Sequence, residues 1–354
     1  GLLRNFDAQL SALAVIGASE RTSWSMITSL ARELVSAGMT RVLVVEMAKQ
    51  RGADAVKLQT YRPDTITLDG DGEEFHIRGG LWDGKSLYQL YQEAHMPWEW
   101  HGPLFEHAAA VGITIFSSPF DDTAIDLLEE HGAPAYKVAS FEAVDLPLIR
   151  RAAATGKPLI ISTGMADDGE IAEAVEAARS AGCEELALLH CVSGYPAPAA
   201  DYNLRTIPDM AARFGTVVGL SDHTLDNTTA VTAVALGAAV FEKHVTLDRA
   251  GGGPDDSFSL EPDGLEELRT GVRTAWEALG RIDYGRKSSE VGNAQFRRSL
   301  YWVKDAAAGE VVTGEHVRSV RPGFGLAPKR FDDLVGRTLA RDVRANTATR
   351  DEDV

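Results

Sequence analysis

From residue 52 onward the alternation of apolar and polar positions repeats one phrase. A short β-branched run ends in small polar residues, and a stretch with helical spacing follows. The runs are ADAVKLQT (53–60), ITIFSS (113–118), AYKVAS (135–140), PLIISTG (158–164), LALLHCVS (186–193), VVGLSDH (217–223) and VFEKHVT (240–246). They are mostly continuous rather than alternating, the pattern of parallel strands covered on both faces. Between them, EIAEAVEAARSAG (170–182) and NTTAVTAVALGA (227–238) place apolar residues at helical spacing, with Gly182 and Gly237 as stop signals. LAVIGAS (13–19) is a candidate eighth strand. Eight βα units over roughly 250 residues predict a TIM (β/α)8 barrel. A doubly wound open sheet is the alternative, but no dinucleotide glycine fingerprint follows any strand.

The rhythm breaks in two places. Segment 61–86 contains TLDGDGEEFHIRGG, acidic and glycine-rich, and predicts a long loop over the active face. After GLEELRTGVRTAWEALG (264–280) the βα pattern stops. The expected division is a catalytic barrel over 1–280, with 1–50 atypical, a polar linker over 281–296, and a small β-rich domain over 297–354. SLYWVKD, GEVVTGEHV and VRSVRPGFG are the strand-like pieces of that last domain, which is close to the lower size limit for independent stability.

Composition narrows the partners. The 354 residues are 44% hydrophobic, enough for a sizeable core, and the net charge of −17 argues against nucleic acid as a general partner. It does not forbid an anionic small substrate, because a few lysines at a pocket outweigh distant screened charge. No run of 18 or more apolar residues is present, so no membrane-spanning helix is expected. The opening GLLRNFDAQL lacks a basic-then-apolar signal pattern. The two cysteines, Cys183 and Cys191, are too few for a disulfide framework, and Cys191 reads as a small core residue. These features predict a cytoplasmic protein.

In a TIM barrel the chemistry lies at the C-terminal strand ends. Those ends carry Lys57 and Gln59; Ser117 and Ser118; Lys137, Ser140 and Glu142; Ser162 and Thr163; Ser193 and Tyr195; Ser221, Asp222 and His223; Lys243 and His244. Lysines among hydroxyls suit a phosphate. A serine at a strand end is ordinarily a turn former. A lysine inside a parallel strand is harder to dismiss, because an unpaired charge there is costly. A lone histidine is ordinarily structural, but two on adjacent strand ends, beside Asp222 and Glu242, fit a divalent metal with positions open for water and substrate. Asp255, on the glycine-rich loop after the last strand, reads either as a turn residue or as part of the site.

Six phrases in order, GADAVKLQTY, FSSPFD, YKVASFE, ISTGM, GLSDHT and EKHVTLD, resemble the sialic acid synthase family. The family condenses phosphoenolpyruvate with an N-acetylated amino sugar, and its architecture is a TIM barrel followed by a small antifreeze-like (SAF) domain. LYQLYQEAHMPWEWHGPLFEHA (87–108), APAYKVASFEAVDLPLI (133–149) and GGGPDDSFSLEP (251–262) are most similar to its pseudaminic acid branch. That similarity implies 2,4-diacetamido-2,4,6-trideoxy-altrose as acceptor, with the N-acetylneuraminate and legionaminate branches as alternatives. The resemblance further implies that Lys57, Ser118, Lys137, Ser140, Ser162, Ser193 and Ser221 bind phosphoenolpyruvate. Glu142 matches the catalytic carboxylate, acting with Lys57 and Lys137. His223 and His244 match the ligands of a divalent metal, manganese first, with magnesium or cobalt as alternatives. Gln59, Tyr195 and Asp255 match the sugar side. Arg321, in VRPGFG, matches an arginine that one subunit inserts over the other's barrel, which implies a domain-swapped homodimer.

The first fifty residues depart from this resemblance. The family's first strand reads like Ala-Glu-Ile followed, two residues on, by Asn-His-x-Gly, and its glutamate assists catalysis; LAVIGASERTS carries no such motif. Glu33 is the one candidate with a similar context, and it lies close in sequence to Lys57. A divergent first strand and a reading-frame error over roughly residues 1–44 are both consistent with this. Two other functions compete. One is a condensing enzyme for a phosphorylated sugar, which needs a second anion site and has only Arg62 and Arg78 as loose candidates. The other is a catalytically impaired sugar-binding homologue.

Overall fold

The computed structural model describes residues 11–16 and 39–354. The chain forms two compact units that part between Gly280 and Arg281. In the first, eight parallel strands close into a barrel in sequence order. They are β1 (Ser11–Ile16), β2 (Ala55–Thr60), β3 (Thr114–Pro119), β4 (Tyr136–Val138), β5 (Leu159–Ser162), β6 (Leu186–Cys191), β7 (Val217–Ser221) and β8 (Val240–Val245). β1 starts two residues before the LAVIGAS run. It seals the barrel by pairing with β2, Leu13 opposite Ala55, and with β8, Val15 opposite His244. Glu33 lies outside the described residues.

Successive side chains of a strand face opposite sides, and this period of two builds the site. Phe116, Ala135, Ile160, Ala187, Leu189 and Val240 form a buried apolar plug, with Ala55 and Val217 packed against it. Two residues further along, on the same face, stand Lys57, Ser118, Lys137, Ser162 and Glu242, all buried. The intervening residues, such as Val56, Leu58, Ile161, Leu188 and Phe241, join the larger core shared with the helices. β7 and β8 approach too closely for a side chain between them. A Cβ at Gly219 would lie 2.3 Å from the Val240 carbonyl oxygen.

The helices begin and end where local chemistry dictates. Asp167 caps the helix Asp168–Ser180, accepting from the Glu170 N–H at 2.9 Å while the Glu170 carboxylate accepts from the Asp167 N–H at 2.9 Å. Gly182, at φ 95°, ends that segment in the left-handed region. Segment 61–86 is more structured than a plain loop, with a short helix Pro63–Ile66 and a turn Glu73–Phe75. Near its end the Trp82 indole N–H donates to the Pro254 carbonyl at 3.2 Å, tying this segment to the loop after β8.

In the second unit the stretch 281–296 is almost wholly exposed, with 3-10 turns over Ser288–Phe296. A three-stranded antiparallel sheet follows, β10 (Val317–Val320), β9 (Ser299–Trp302) and β11 (Thr347–Ala348) in spatial order. GEVVTGEHV, strand-like in sequence, is extended in its first half, turns over 314–316 and enters β10 at Val317. Gly309 adopts φ 89° at its start, and the His316 ring accepts from the Thr313 N–H at 3.0 Å near its end, where the chain turns. Between these points a short antiparallel pairing forms around the bridge of Val311 to Thr338, with the Val312 N–H donating to the Arg337 carbonyl at 2.8 Å and the Leu339 N–H to the Glu310 carbonyl at 2.9 Å. Leu300, Trp302, Val312, Val317, Leu334 and Leu339 form this unit's core. The buried Trp302 N–H donates to Asp353 at 2.9 Å. Among the described residues no helix is long and apolar enough to cross a membrane.

Candidate active site

Lys57 and Lys137 rise from β2 and β4 into the barrel, 2% and 3% exposed. Both ammonium groups meet the same Glu242 oxygen, Oε1, at 3.5 and 2.9 Å, and the Ser221 hydroxyl donates to it at 3.2 Å. Burial works to raise the Glu242 pKa, but Lys137 and then Lys57 outweigh it and hold the carboxylate at about 2. Burial likewise pushes Lys57 down to about 8, against the pull of Glu242 and with a further push from Lys137. Two buried cations therefore share one carboxylate, and the surplus positive charge calls for an anion.

The surrounding hydroxyls supply what an anion needs. Ser118, Ser162 and Ser193 have buried oxygens with no hydrogen-bond partner. Such groups are costly and rare, and three beside surplus positive charge suit a tetrahedral oxyanion. Ser140 accepts from the Gly164 N–H at 3.2 Å. A Cβ at Gly164 would fall 2.3 Å from the Ser193 hydroxyl and 2.7 Å from that of Ser140. Glycine here lets both hydroxyls face one space. Glu142 lies on the turn Ser140–Glu142 just after β4, and one of its oxygens is buried without a partner. Burial raises its pKa to about 7, with Lys137 opposing, so its carboxyl can give or take a proton near neutrality.

At the rim, the rings of His223 and His244 stand 5.4 Å apart between centroids. The His223 Nδ1 lies 2.8 Å from the Val192 carbonyl; donating there assigns its proton and leaves the Nε2 lone pair free. The His244 Nδ1 lies 3.4 Å from the Asp255 carboxylate, within ion-pair reach but without a hydrogen bond. Burial lowers the pKa of both rings, which favours neutral imidazoles. Tyr195 packs on His223 at 4.5 Å, Phe258 on His244 at 5.2 Å, and Trp82 faces Tyr195 at 6.0 Å. Neutral imidazoles, that of His223 oriented through its Nδ1 and that of His244 beside the Asp255 carboxylate, suit a borderline divalent ion. Among the described residues no group of three or more His, Cys, Asp or Glu converges. With two imidazoles as donors, most coordination positions of an ion held there would fall to water and substrate.

The structure brings together most residues singled out in sequence. Gln59 stands opposite Ser118 in the β2–β3 ladder, half-buried. Tyr195 and Asp255 lie against the histidine pair. Arg321 is exposed just after β10 in the second unit. Asp222 and Lys243 depart from expectation, since they pair at 3.0 Å on the outer side of the barrel wall. Lys243 follows the inward-facing Glu242 by one residue, so strand alternation turns it away. Arg62 and Arg78, the candidates for a second anion site, each have a carboxylate partner. Arg62 pairs with Asp64 at 3.6 Å and stacks over Trp98, and Arg78 pairs with Glu73 at 3.2 Å. Sequence reasoning missed Glu242 as the shared partner of both lysines, although its place two residues before His244 puts it on the same face. It also missed Trp82 and Gly164, whose roles depend on loops meeting in space.

Two buried lysines on one carboxylate, unpartnered hydroxyls and a pair of imidazoles at the end of a parallel barrel have the make-up of an enzyme site suited to an oxyanionic ligand. Comparison with known proteins narrows the class. Residues 44–284 match the NeuB family and residues 297–354 the SAF domain. The chain belongs to the NeuB family. It is 43% identical to the pseudaminic acid synthase of Campylobacter jejuni strain 81-176, across 87% of this chain and 90% of that one. It is 34% identical to the N,N'-diacetyllegionaminic acid synthase of Legionella pneumophila, across 90% and 88%. The crystal structure of an N-acetylneuraminic acid synthetase from Leptospira borgpetersenii superposes with TM-score 0.67 at 27% identity, covering 82% of this chain and 92% of that chain. Synthases of the NeuB family generally depend on a metal.

Proposed function

We propose that this chain condenses phosphoenolpyruvate with 2,4-diacetamido-2,4,6-trideoxy-altrose, giving pseudaminic acid and phosphate, as a cytoplasmic, domain-swapped homodimer. The observation that carries the reading is the pair Lys57 and Lys137 on one carboxylate, ringed by idle serine hydroxyls. Greater identity to a pseudaminic than to a legionaminic acid synthase supports the choice of acceptor.

The two ammonium groups hold the phosphate and carboxylate of phosphoenolpyruvate, and Ser118, Ser140, Ser162, Ser193 and Ser221 orient them. C3 forms the new bond to the acceptor's aldehyde carbon. Water adds at C2, and the bond from C2 to the phosphate oxygen then breaks, leaving a 2-keto acid. Glu142, titrating near neutrality, moves the proton of that water. His223 and His244 would hold a divalent ion, manganese in this reading, which when bound supplies Lewis-acid polarisation of the aldehyde. Gln59, Tyr195 and Asp255 flank the acceptor. The exposed guanidinium of Arg321 suits a reach over the partner's barrel, because it stays charged and binds in a fork.

Phosphate release with Mn2+, offered the altrose derivative, N-acetylmannosamine and the legionaminate precursor in parallel, tests the proposal. Release with the altrose derivative alone, lost in His223→Ala, is the expected result. Release with another sugar overturns the acceptor. No release with any sugar overturns the activity.

A further inference from the structure

Lys243 is 2% exposed, on the helix-facing side of β8, and it belongs to none of the chemistry above. Its ammonium group is fully engaged. It meets the Asp222 carboxylate at 3.0 Å and donates to the Thr224 carbonyl at 2.6 Å, the Thr224 hydroxyl at 3.2 Å and the Asp226 carbonyl at 2.7 Å. All these acceptors lie on the loop after β7, on either side of His223. The same loop is tied down elsewhere. Asp222 accepts from the Thr224 N–H at 2.9 Å, and its own N–H donates to the Glu242 carbonyl at 2.9 Å. The next residue of β8 after Lys243 is His244. One buried ammonium therefore clasps the loop that carries one imidazole to the strand that carries the other.

We propose that Lys243 is a positioning residue that sets the spacing of His223 and His244 and thereby the affinity of the site for a divalent ion. The proposal rests on the reading of the two histidines as a metal pair. A salt bridge at this depth is weak evidence for stability, because apolar replacement of both partners is often neutral. The two carbonyl contacts distinguish positioning from mere charge pairing. Neutralising Asp222 and Lys243 together removes the uncompensated charge but leaves the Thr224 and Asp226 carbonyls without their donor.

The test compares the full-length wild type with Lys243→Met, Asp222→Asn and the double variant. Mn2+ binding is read by electron paramagnetic resonance and thermal unfolding by calorimetry, both without substrate. Lys243→Met should bind Mn2+ about 10-fold more weakly, the low end of the cost of losing a group bonded to a metal ligand, because Lys243 holds the backbone that carries the rings and not the rings themselves. The double variant should regain most of the lost melting temperature while keeping the weakened affinity. Wild-type affinity in Lys243→Met overturns the proposal. Affinity restored together with stability in the double variant also overturns it, and would leave the lysine a purely structural role. If Lys243→Met does not fold, the double variant alone decides between these outcomes. Absence of Mn2+ binding by the wild type overturns the metal reading itself, and the positioning role with it.

Discussion

Glu142→Gln keeps the shape of the side chain and removes its ionisation. The carboxyl titrates at about 7 in the fold against an ordinary value of 4.5, chiefly because it is buried. Below pH 4.5 it is protonated in both folded and unfolded chains and costs nothing. As pH rises the unfolded chain releases its proton first, so the native state binds more protons and loses stability. The loss is complete above about pH 7. At 1.36 kcal/mol per pH unit, the full penalty is about 3 kcal/mol, of which about 2.5 kcal/mol develops between pH 5 and pH 8. The glutamine variant carries no such penalty. Its stability relative to wild type should therefore rise by about 2–3 kcal/mol between those two pH values, whatever the offset at pH 5. Urea unfolding of the full chain at each pH, followed by circular dichroism, measures this directly. A stability difference that stays constant within about 0.5 kcal/mol would falsify the claim that the fold strains this carboxyl. A carboxyl held at a cost to stability is expected where a proton is moved.

Other substitutions probe neighbouring parts of the same architecture. Gly164→Ala would place a methyl 2.3 Å from the Ser193 hydroxyl; the KM for phosphoenolpyruvate should rise at least about tenfold, at little cost in melting temperature, if the cradle is an anion site. Lys137→Met removes the nearer of the two lysine partners of Glu242. It should cost about 3 kcal/mol in folding stability and lower phosphate release by about a hundredfold or more, and wild-type kinetics would refute its role. In the second unit, Trp302→Phe deprives Asp353 of the indole donor and should destabilise by about 1–2 kcal/mol, read by calorimetry, with no change in the pH response of the barrel.

The barrel was legible because its strands are buried on both faces. Runs such as PLIISTG and LALLHCVS cannot be half-exposed strands, and helix stops follow at Gly182 and Gly237. The first strand was the least legible part. LAVIGAS lacks a flanking βα phrase, and its start was misplaced by two residues. The site was legible where inward residues differ sharply from their surroundings, as Lys57 and Lys137 do. Reading Asp222 and Lys243 into the mouth ignored the period of two that turns them outward. Trp82 and Gly164 were invisible for a different reason. Their roles come from approaches between segments far apart in sequence, the indole to Pro254 and the glycine between Ser140 and Ser193, which no local pattern encodes. GEVVTGEHV was legible in part: its two adjacent valines do sit in a short antiparallel pairing, while the Thr313–His316 contact marks the turn that breaks the run before β10.

The surplus cation around Glu242 has a kinetic consequence. The chain carries a net charge of −17, yet deep in its barrel two lysines meet at one oxygen of Glu242. An approaching anion meets a repulsive far field before it reaches a short-range attractive well. Mobile ions screen the far field, whose range is about 8 Å at physiological ionic strength, and barely touch the buried well. Added salt should therefore speed the encounter with an anionic substrate, the reverse of the usual electrostatic steering. Such a landscape makes capture slow and residence long, and inorganic phosphate, once formed in the well, leaves against the charge that held its parent.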